Sequence, residues 1–468
     1  MSEAPNDEAP TSAATTGSDA VLDPITQQAY REVEADLMGR WPESHPGPSL
    51  ERIALLCDLL GHPERSASVV HITGTNGKTT TARMIDALVR SIGLRTGRFT
   101  SPHVAEVRER IAIDGEPISP DGFIGAWADV AAMVGVVDER SDIRLTFFET
   151  LTGMAFAAFA DAPVDVAVIE VGLGGSWDAT NVADADVAVV TPIDLDHTRL
   201  LGDTAEQIAT EKAGIIKPGS ITVVGEQPDA VLEVIAQRCR EVGAQMLVLG
   251  RDFGLLDRRV AVGGQVLRLQ GLREVYDEVV LPLHGAHQAA NAVLALAAVE
   301  AFLGSGTQRP SIDRDVVREG FAMADSPARL ELLRTAPSIL IDAAHNPQGA
   351  RATAAAVEEA FALTPLIGVV AISAEKDAAG ILEPFEPLMD KIVVTENSTT
   401  RTMPLAELTE VATEVFGPDR VVAEAAFDDA IATAVELCEA DGMGTGGVLV
   451  TGSVYTAAQA RVLLGAPR

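Results

Sequence analysis

Residues Ala67 to Thr73 read ASVVHIT and run straight into Gly74-Thr75-Asn76-Gly77-Lys78-Thr79-Thr80. The first seven are mostly apolar or β-branched, as in a buried strand, and Lys78 to Ile92 has helical spacing. A glycine-rich turn between a strand and a helix makes a phosphate cradle. The glycines let main-chain N–H groups approach phosphate oxygens, Lys78 supplies a point charge to the outer phosphates, and the Thr79 hydroxyl meets Mg²⁺ at the helix N-terminus. In the GxxxxGK[ST] register the first glycine position holds Ile72, a departure from the full motif. An ordinary strand-to-helix turn is the bland alternative, and the order of strand, turn, lysine and threonine weighs against it.

Outward from this turn, short β-branched runs alternate with alanine-rich helical patterns. This predicts an α/β fold with a P-loop-type, mostly parallel sheet flanked by helices. Ser49 to Leu60 reads as a helix with a serine N-cap, and Asp165 to Val171 and Asp186 to Pro192 as further buried strands. Between Arg251 and Gly285 the pattern shortens and alternates, with Gly263-Gly264 as a turn, which predicts an antiparallel excursion. Breaker clusters at residues 304–310 and 325–328 precede a fresh alternation with strands at Ser338 to Asp342, Leu366 to Ser373, Lys391 to Thr395 and Gly447 to Thr451. The expected layout is a disordered tail at 1–20, an ATP-binding catalytic domain at 21–324, and a second, smaller C-terminal α/β domain at 325–468.

The 468 residues are 47% hydrophobic, enough for more than one core. A formal charge of −33 opposes nucleic acid and anionic lipid alike, so any phosphate site must carry its own local cations. Cys57, Cys239 and Cys438 are scattered and form no CxxC pair, which fits a reducing cytoplasm. The tail lacks the basic start and apolar run of a signal peptide. The apolar stretch Ala289 to Leu303 is interrupted by Glu300 and reads as shorter than a membrane span, so no membrane partner is expected.

Phosphoryl transfer needs a carboxylate as well as a hydroxyl around Mg²⁺. Glu170 closes a buried strand and leads into Val171-Gly172-Leu173-Gly174-Gly175, a loop that lets backbone pass close to a ligand. His197 ends Asp194-Leu195-Asp196-His197 beyond the next strand. A charged strand end is as often a solvated one, and a lone histidine is usually structural. Emergence beside a phosphate turn, where open α/β sheets bind ligands, favours metal ligation for both.

Together these segments resemble the Mur ligase superfamily, and within it the folylpolyglutamate synthase and dihydrofolate synthase family. The likeness is carried by Gly74 to Thr80, Thr100-Ser101-Pro102-His103, Phe148-Glu149, Glu170 to Gly175 with Asp178-Ala179-Thr180-Asn181, Asp196-His197-Thr198 and Glu211-Lys212-Ala213-Gly214-Ile215. In the C-terminal part it is carried by Asp342-Ala343-Ala344-His345-Asn346-Pro347 and Gly452-Ser453. The resemblance implies two magnesium sites with Ser101, Glu170 and His197 as protein ligands. It implies a carbamylated Lys212, although the residues alone make that side chain a lysine on a polar helix face. ATP would be held by Thr75, Asn76, Gly77, Lys78, Thr79, Thr80, Asn291, Arg329 and Asp342. The pterin end of the substrate would lie near Thr146, Phe147, Phe148, Glu149, Trp177, Asp178 and Ala179, where helix core is an equal reading for the two phenylalanines. His345 and Ser373 would face the incoming glutamate, and Lys78, Lys212 and His345 would carry catalysis. Where relatives often show Arg-Leu before the Asp-Ala-Thr-Asn run, this chain has Ser176-Trp177, which leaves the preferred folate open.

The implied activity is ATP-dependent ligation of L-glutamate to dihydropteroate, to tetrahydrofolate, or to both, through an acyl phosphate, by a cytoplasmic monomer. Two rivals remain: another amino-acid ligase of the superfamily, acting on a cell-wall nucleotide precursor, and a nucleotide-hydrolysing switch.

Overall fold

The computed structural model describes residues 23–42, 49–304, 311–440 and 444–465. The tail expected at 1–20 lies outside these residues, as does 305–310 of the first breaker cluster. Strand Ser68–Thr73 lies inside an eight-stranded sheet. From one edge the order is Glu116–Pro117, Ile111–Ile113, Thr96–Phe99, Val166–Glu170, Ser68–Thr73, Val187–Val190, Ile221–Val224 and Gln245–Val248. The six strands from Thr96–Phe99 onward are parallel, and the first two add antiparallel at one edge. Register does the positioning: Ile72 pairs with Glu170 and Thr73 with Val190, so the phosphate turn, Glu170 and the chain leading to His197 leave the sheet at the same end.

One face of the sheet is covered by helices Lys78–Ser91 and Ala286–Leu303, whose Met84, Ile85, Leu88, Val293 and Leu296 share a core with Val70, Ile72, Val168 and Val189. Helices Leu50–Leu59, Pro120–Arg140 and Phe147–Asp161 cover the other. The Ser49 hydroxyl accepts from Glu51 N, the expected N-cap. Pro120–Arg140 and Ala286–Leu303 both have the length and apolar composition of a membrane span, so the reading that found no such segment fell short. The second begins three residues before the run read in the sequence and is apolar on every side because it is packed in the core. The first buries only a stripe, Phe123, Ala126, Val130, Val134 and Val137, at helical spacing.

The excursion expected between Arg251 and Gly285 is a separate antiparallel sheet of Gly254–Ala261, Gly264–Gln270 and Val275–Leu281. Its Leu267, Leu269, Tyr276 and Val279 close the end of the first core. A six-stranded sheet follows in the order Glu331–Thr335, Ser338–Ile341, Gly447–Thr451, Leu366–Val370, Lys391–Val394 and Val421–Ala423. The four strands read in the sequence form its parallel centre. The two unread strands are its edges. Both are at most half-buried, and Val421–Ala423 has three residues, too few for a periodic signal.

Candidate active site

The phosphate turn is closed by its glycines. Gly74 and Gly77 have φ of +144° and +87°, and a Cβ on Gly77 would lie 2.6 Å from Asn291 Oδ1. Asn291, an exposed position by its own helix pattern, is buried against the turn because Ala286–Leu303 packs along Lys78–Ser91. The Thr75 amide and hydroxyl are tied to the next loop: N donates to Pro192 O (2.9 Å) and Oγ1 to Asp194 O (2.9 Å). By helix geometry the N–H groups of Lys78, Thr79 and Thr80 have no partner within their helix and remain as anion donors.

Two lysines converge on one carbonyl. Lys78 Nζ donates to Gly74 O and Thr75 O at 3.1 Å, and Lys212 Nζ donates to the same Gly74 O at 2.7 Å. Lys212, read locally as an exposed cation, is 4% exposed. Its carrier helix Ala205–Lys212 turns it inward beside Ala213 and Gly214, which pack on the substrate loop. Burial, with the charge of Lys78 second, lowers its pKa to about 7. Burial also lowers that of Lys78.

Opposite them, Thr79 Oγ1 donates to both carboxylate oxygens of Glu170 (2.9 and 3.0 Å), and Ser101 N donates to Glu170 Oε2 at 3.1 Å. Burial raises the Glu170 pKa, against the pull of Lys78 and of the Ser101 and Thr79 hydrogen bonds. No group of three or more His, Cys, Asp or Glu side chains is gathered for a metal among the described residues. A hard cation ligated by one carboxylate, hydroxyls and substrate phosphate needs none, and the Thr79–Glu170–Ser101 set is of that kind. His197 sits in a left-handed conformation (φ 49°) with its side chain 39% exposed, and partial desolvation, opposed by Asp196, lowers its pKa, which favours the neutral ring that can coordinate.

Asp196 is a hub that sequence reasoning missed. Lys376 pairs with it, Asn346 Nδ2 donates to its Oδ2 (3.2 Å), and His345 Nε2 lies 3.6 Å away. Asn76 Nδ2 donates to Asn346 Oδ1 (3.1 Å) and Gln348 Oε1 (2.5 Å). The C-terminal sheet's loop is thus joined to the phosphate turn side chain to side chain. Asp342 does not aim its carboxylate freely at a ligand: Oδ2 accepts from Leu330 N (3.0 Å), and Oδ1 from Ala344 N (2.9 Å) and Thr353 Oγ1 (2.8 Å). The first of those bonds holds the backbone immediately after Arg329, a half-buried residue whose charge is felt at both Lys78 and Glu170. Thr80 also differs from expectation. Its hydroxyl turns away from the turn to Ser326 Oγ (2.9 Å), leaving only its N–H toward a nucleotide.

The two segments expected to bind substrate meet at Gly172 and Leu173. Phe147 and Phe148 are 8% and 5% exposed, and the Phe148 ring lies where a Cβ on Gly172 would be, 2.5 Å away. Arg110 stacks on Phe147 at 5.0 Å. Thr146 and Glu149 form a capping box, and the Glu149 carboxylate is gripped by Arg52, with Nε to Oε1 at 3.0 Å and Nη2 to Oε1 at 2.9 Å. The Glu149 carboxylate is therefore committed to partners inside the protein. Asp178 accepts from Leu173 N (2.9 Å) and Thr180 N (3.0 Å), and Ala179 is buried. Trp177 N approaches Glu211 Oε1 at 3.4 Å, and Ser176 N donates to Glu211 O at 3.0 Å, so the substrate loop rests on the turn that carries Lys212.

Comparisons with known proteins identify the family. Residues 72–299 match the Mur ligase middle domain, and residues 328–454 the Mur ligase glutamate ligase domain. The chain is 48% identical to the dihydrofolate synthase/folylpolyglutamate synthase of Mycobacterium tuberculosis, over 97% of this chain and 98% of that protein. It is 31% identical to the Escherichia coli protein of the same name, over 90% and 92%. The solved M. tuberculosis folylpolyglutamate synthase complexed with ADP and AMPPCP superposes with a TM-score of 0.90 at 48% identity, covering 94% of this chain and 99% of that one. The chain belongs to the dihydrofolate synthase/folylpolyglutamate synthase family of the Mur ligases, ATP-dependent enzymes that join glutamate to folates.

Proposed function

We propose that this chain performs both reactions of its family, making dihydrofolate from dihydropteroate and extending tetrahydrofolate with further glutamates. The observation that carries the reading is the convergence of Lys78 and Lys212 on Gly74 O, opposite a Glu170 held by Thr79 and Ser101. The Lys78 cation suits a triphosphate, the lowered pKa of Lys212 suits its carbamylation beside it, and the carboxylate–hydroxyl set suits the magnesium that accompanies the nucleotide.

In this reading the first-turn N–H groups and Lys78 hold the β and γ phosphates of ATP, with Asn291 on one side and Arg329 reaching over from the second domain, whose boundary falls near Asp325. Ser101, Glu170 and His197 would hold magnesium at two sites, and there it would offset charge on the phosphates. The substrate carboxylate attacks the γ phosphorus, ADP leaves, and an acyl phosphate forms. The glutamate amine then attacks the acyl carbon beside His345 and Ser373. Phosphate departs with the C–O bond electrons, and the nitrogen loses its proton. Carbamylation of Lys212 turns a cation at the phosphate turn into a carboxylate-like group. The Asp196–Lys376–Asn346 contacts support a second domain that covers the cleft and keeps water from the acyl phosphate. A cytoplasmic monomer completes the reading.

The test is ATP-dependent phosphate release with dihydropteroate or tetrahydrofolate, each with and without L-glutamate. Release that needs both a pterin acid and glutamate is expected. Release with a cell-wall nucleotide precursor would move the chain to another branch of the superfamily, and release indifferent to glutamate would fit a nucleotide switch.

A further inference from the structure

Helix Lys78–Ser91 does more than begin at the phosphate turn. On its second residue after Lys78, Thr80 is 2% exposed, and its hydroxyl is hydrogen-bonded at 2.9 Å to the hydroxyl of Ser326, itself 7% exposed. One turn on, Arg83 Nη1 donates to Asp325 Oδ1 at 2.8 Å. Asp325 and Ser326 follow the last helix packed on the first sheet, so the nucleotide-site helix holds the end of that domain by two side-chain bonds.

Immediately beyond, the anchors change sides. Ala328 N donates to Glu331 Oε2 (2.8 Å), and Ala343 N donates to Ala328 O (2.9 Å). Leu330 N donates to Asp342 Oδ2 (3.0 Å), and Glu331 is gripped by Arg461 (3.1 Å). All of those partners belong to the six-stranded sheet's domain. Between the last residue fixed to one domain and the first fixed to the other stands only Pro327, whose ring locks its φ. Ala328 and Leu330 have φ of +59° and +46°, conformations that residues with a Cβ rarely adopt, and they flank Arg329. Strained backbone of this sort persists only where its surroundings over-determine it.

We propose that Thr80 and Ser326 are positioning residues: their buried hydroxyl pair ties the interdomain pivot to the nucleotide-site helix, so that the same helix that holds phosphate sets the orientation of Arg329 and of the domain behind it. The pivot is too short to absorb a change in the helix without passing it on. A shift of Lys78–Thr80 moves Ser326 directly, and one residue later the C-terminal domain. The inference rests on the nucleotide reading of the turn, and the two hydroxyls are committed to each other rather than to the turn.

The test uses full-length enzyme with ATP, dihydropteroate and glutamate, and compares Thr80→Val, Ser326→Ala, the double variant and Thr80→Ser. Each single variant should lower kcat roughly tenfold while the KM for ATP changes by less than about twofold, because the phosphate cradle is intact and only the covering domain is misplaced. The double variant should be no worse than the poorer single, and Thr80→Ser should recover most of the lost kcat. Singles with normal kcat would overturn the proposal. So would a double-variant loss equal to the product of the single losses, or a Thr80→Ser as impaired as Thr80→Val. ADP titration of wild type and Lys78→Ala is run alongside: unaltered ADP affinity in Lys78→Ala would sink the nucleotide reading itself, whereas normal ADP binding with an unaffected Thr80→Val sinks only the coupling.

Discussion

Lys212 offers the sharpest prediction, because the structure sets both its chemistry and its pH range. Carbamylation joins a neutral amine to CO₂ and releases a proton, so it depends on the fraction of lysine that is uncharged. With its pKa lowered from 10.5 to about 7 by burial and by Lys78, Lys212 is neutral in about half of the molecules at pH 7. A lysine at the ordinary value is neutral in roughly three of ten thousand, so burial raises the reactive fraction by about a thousandfold. The sign follows: at fixed CO₂ pressure, occupancy should fall as pH drops through about 7 and the amine takes up its proton. Enzyme equilibrated with ¹³C-labelled bicarbonate should show a carbamate carbon resonance that is absent from Lys212→Ala. That variant should lose roughly 10- to 100-fold in kcat, the usual cost of removing a group that organises a metal site from behind. No carbamate signal between pH 7 and 9, or a signal that rises only above pH 10, would refute the reasoning. So would a fully active Lys212→Ala.

Three further outcomes follow from the same geometry. Lys78→Ala should lower kcat/KM for ATP by roughly 10²- to 10³-fold in a coupled ADP assay, since Lys78 is aimed at the turn and its backbone contacts there can be replaced by water. Glu170→Gln keeps the shape that accepts the Thr79 hydroxyl but loses the charge; half-maximal activity should need about tenfold more magnesium, and an unchanged magnesium titration would remove Glu170 as a ligand. Arg52→Ala strands the Glu149 carboxylate, 5% exposed, inside the protein, and should cost about 3–5 kcal/mol of stability in denaturant unfolding, far beyond what a surface ion pair would cost.

Some of this protein is legible in its sequence because the determinants are local. The strand–turn–helix around Gly74 to Thr80 is written in contiguous residues, since glycine's positive φ and a helix N-terminus need nothing from elsewhere. The buried parallel strands announce themselves as unbroken apolar runs. Glu170 and His197 could be placed at one sheet end from strand length alone. Edge strands could not be read, because half-exposed segments of three to five residues carry no period.

What remained for the tertiary structure are properties that arise only when distant segments meet. No local pattern distinguishes Lys212 from a solvated helix lysine: its burial and lowered pKa exist because its turn packs under Gly175 and against Gly74. Glu149 carries the expected helix-capping spacing, yet Arg52, 97 residues away, is what occupies its carboxylate. Asp196 becomes a hub only when Lys376 and Asn346 arrive from the second domain. Thr80 lies within the motif, but a helix has two sides, and Ser326, 246 residues on, decided which way its hydroxyl faces. Sequence periodicity and turn chemistry thus determined the class of fold and the strand–turn–helix at Gly74 to Thr80, because both are short-range. The charge states, the partners of Glu149 and the contacts between domains were decided by packing, because desolvation and side-chain pairing depend on neighbours that the chain brings together only on folding.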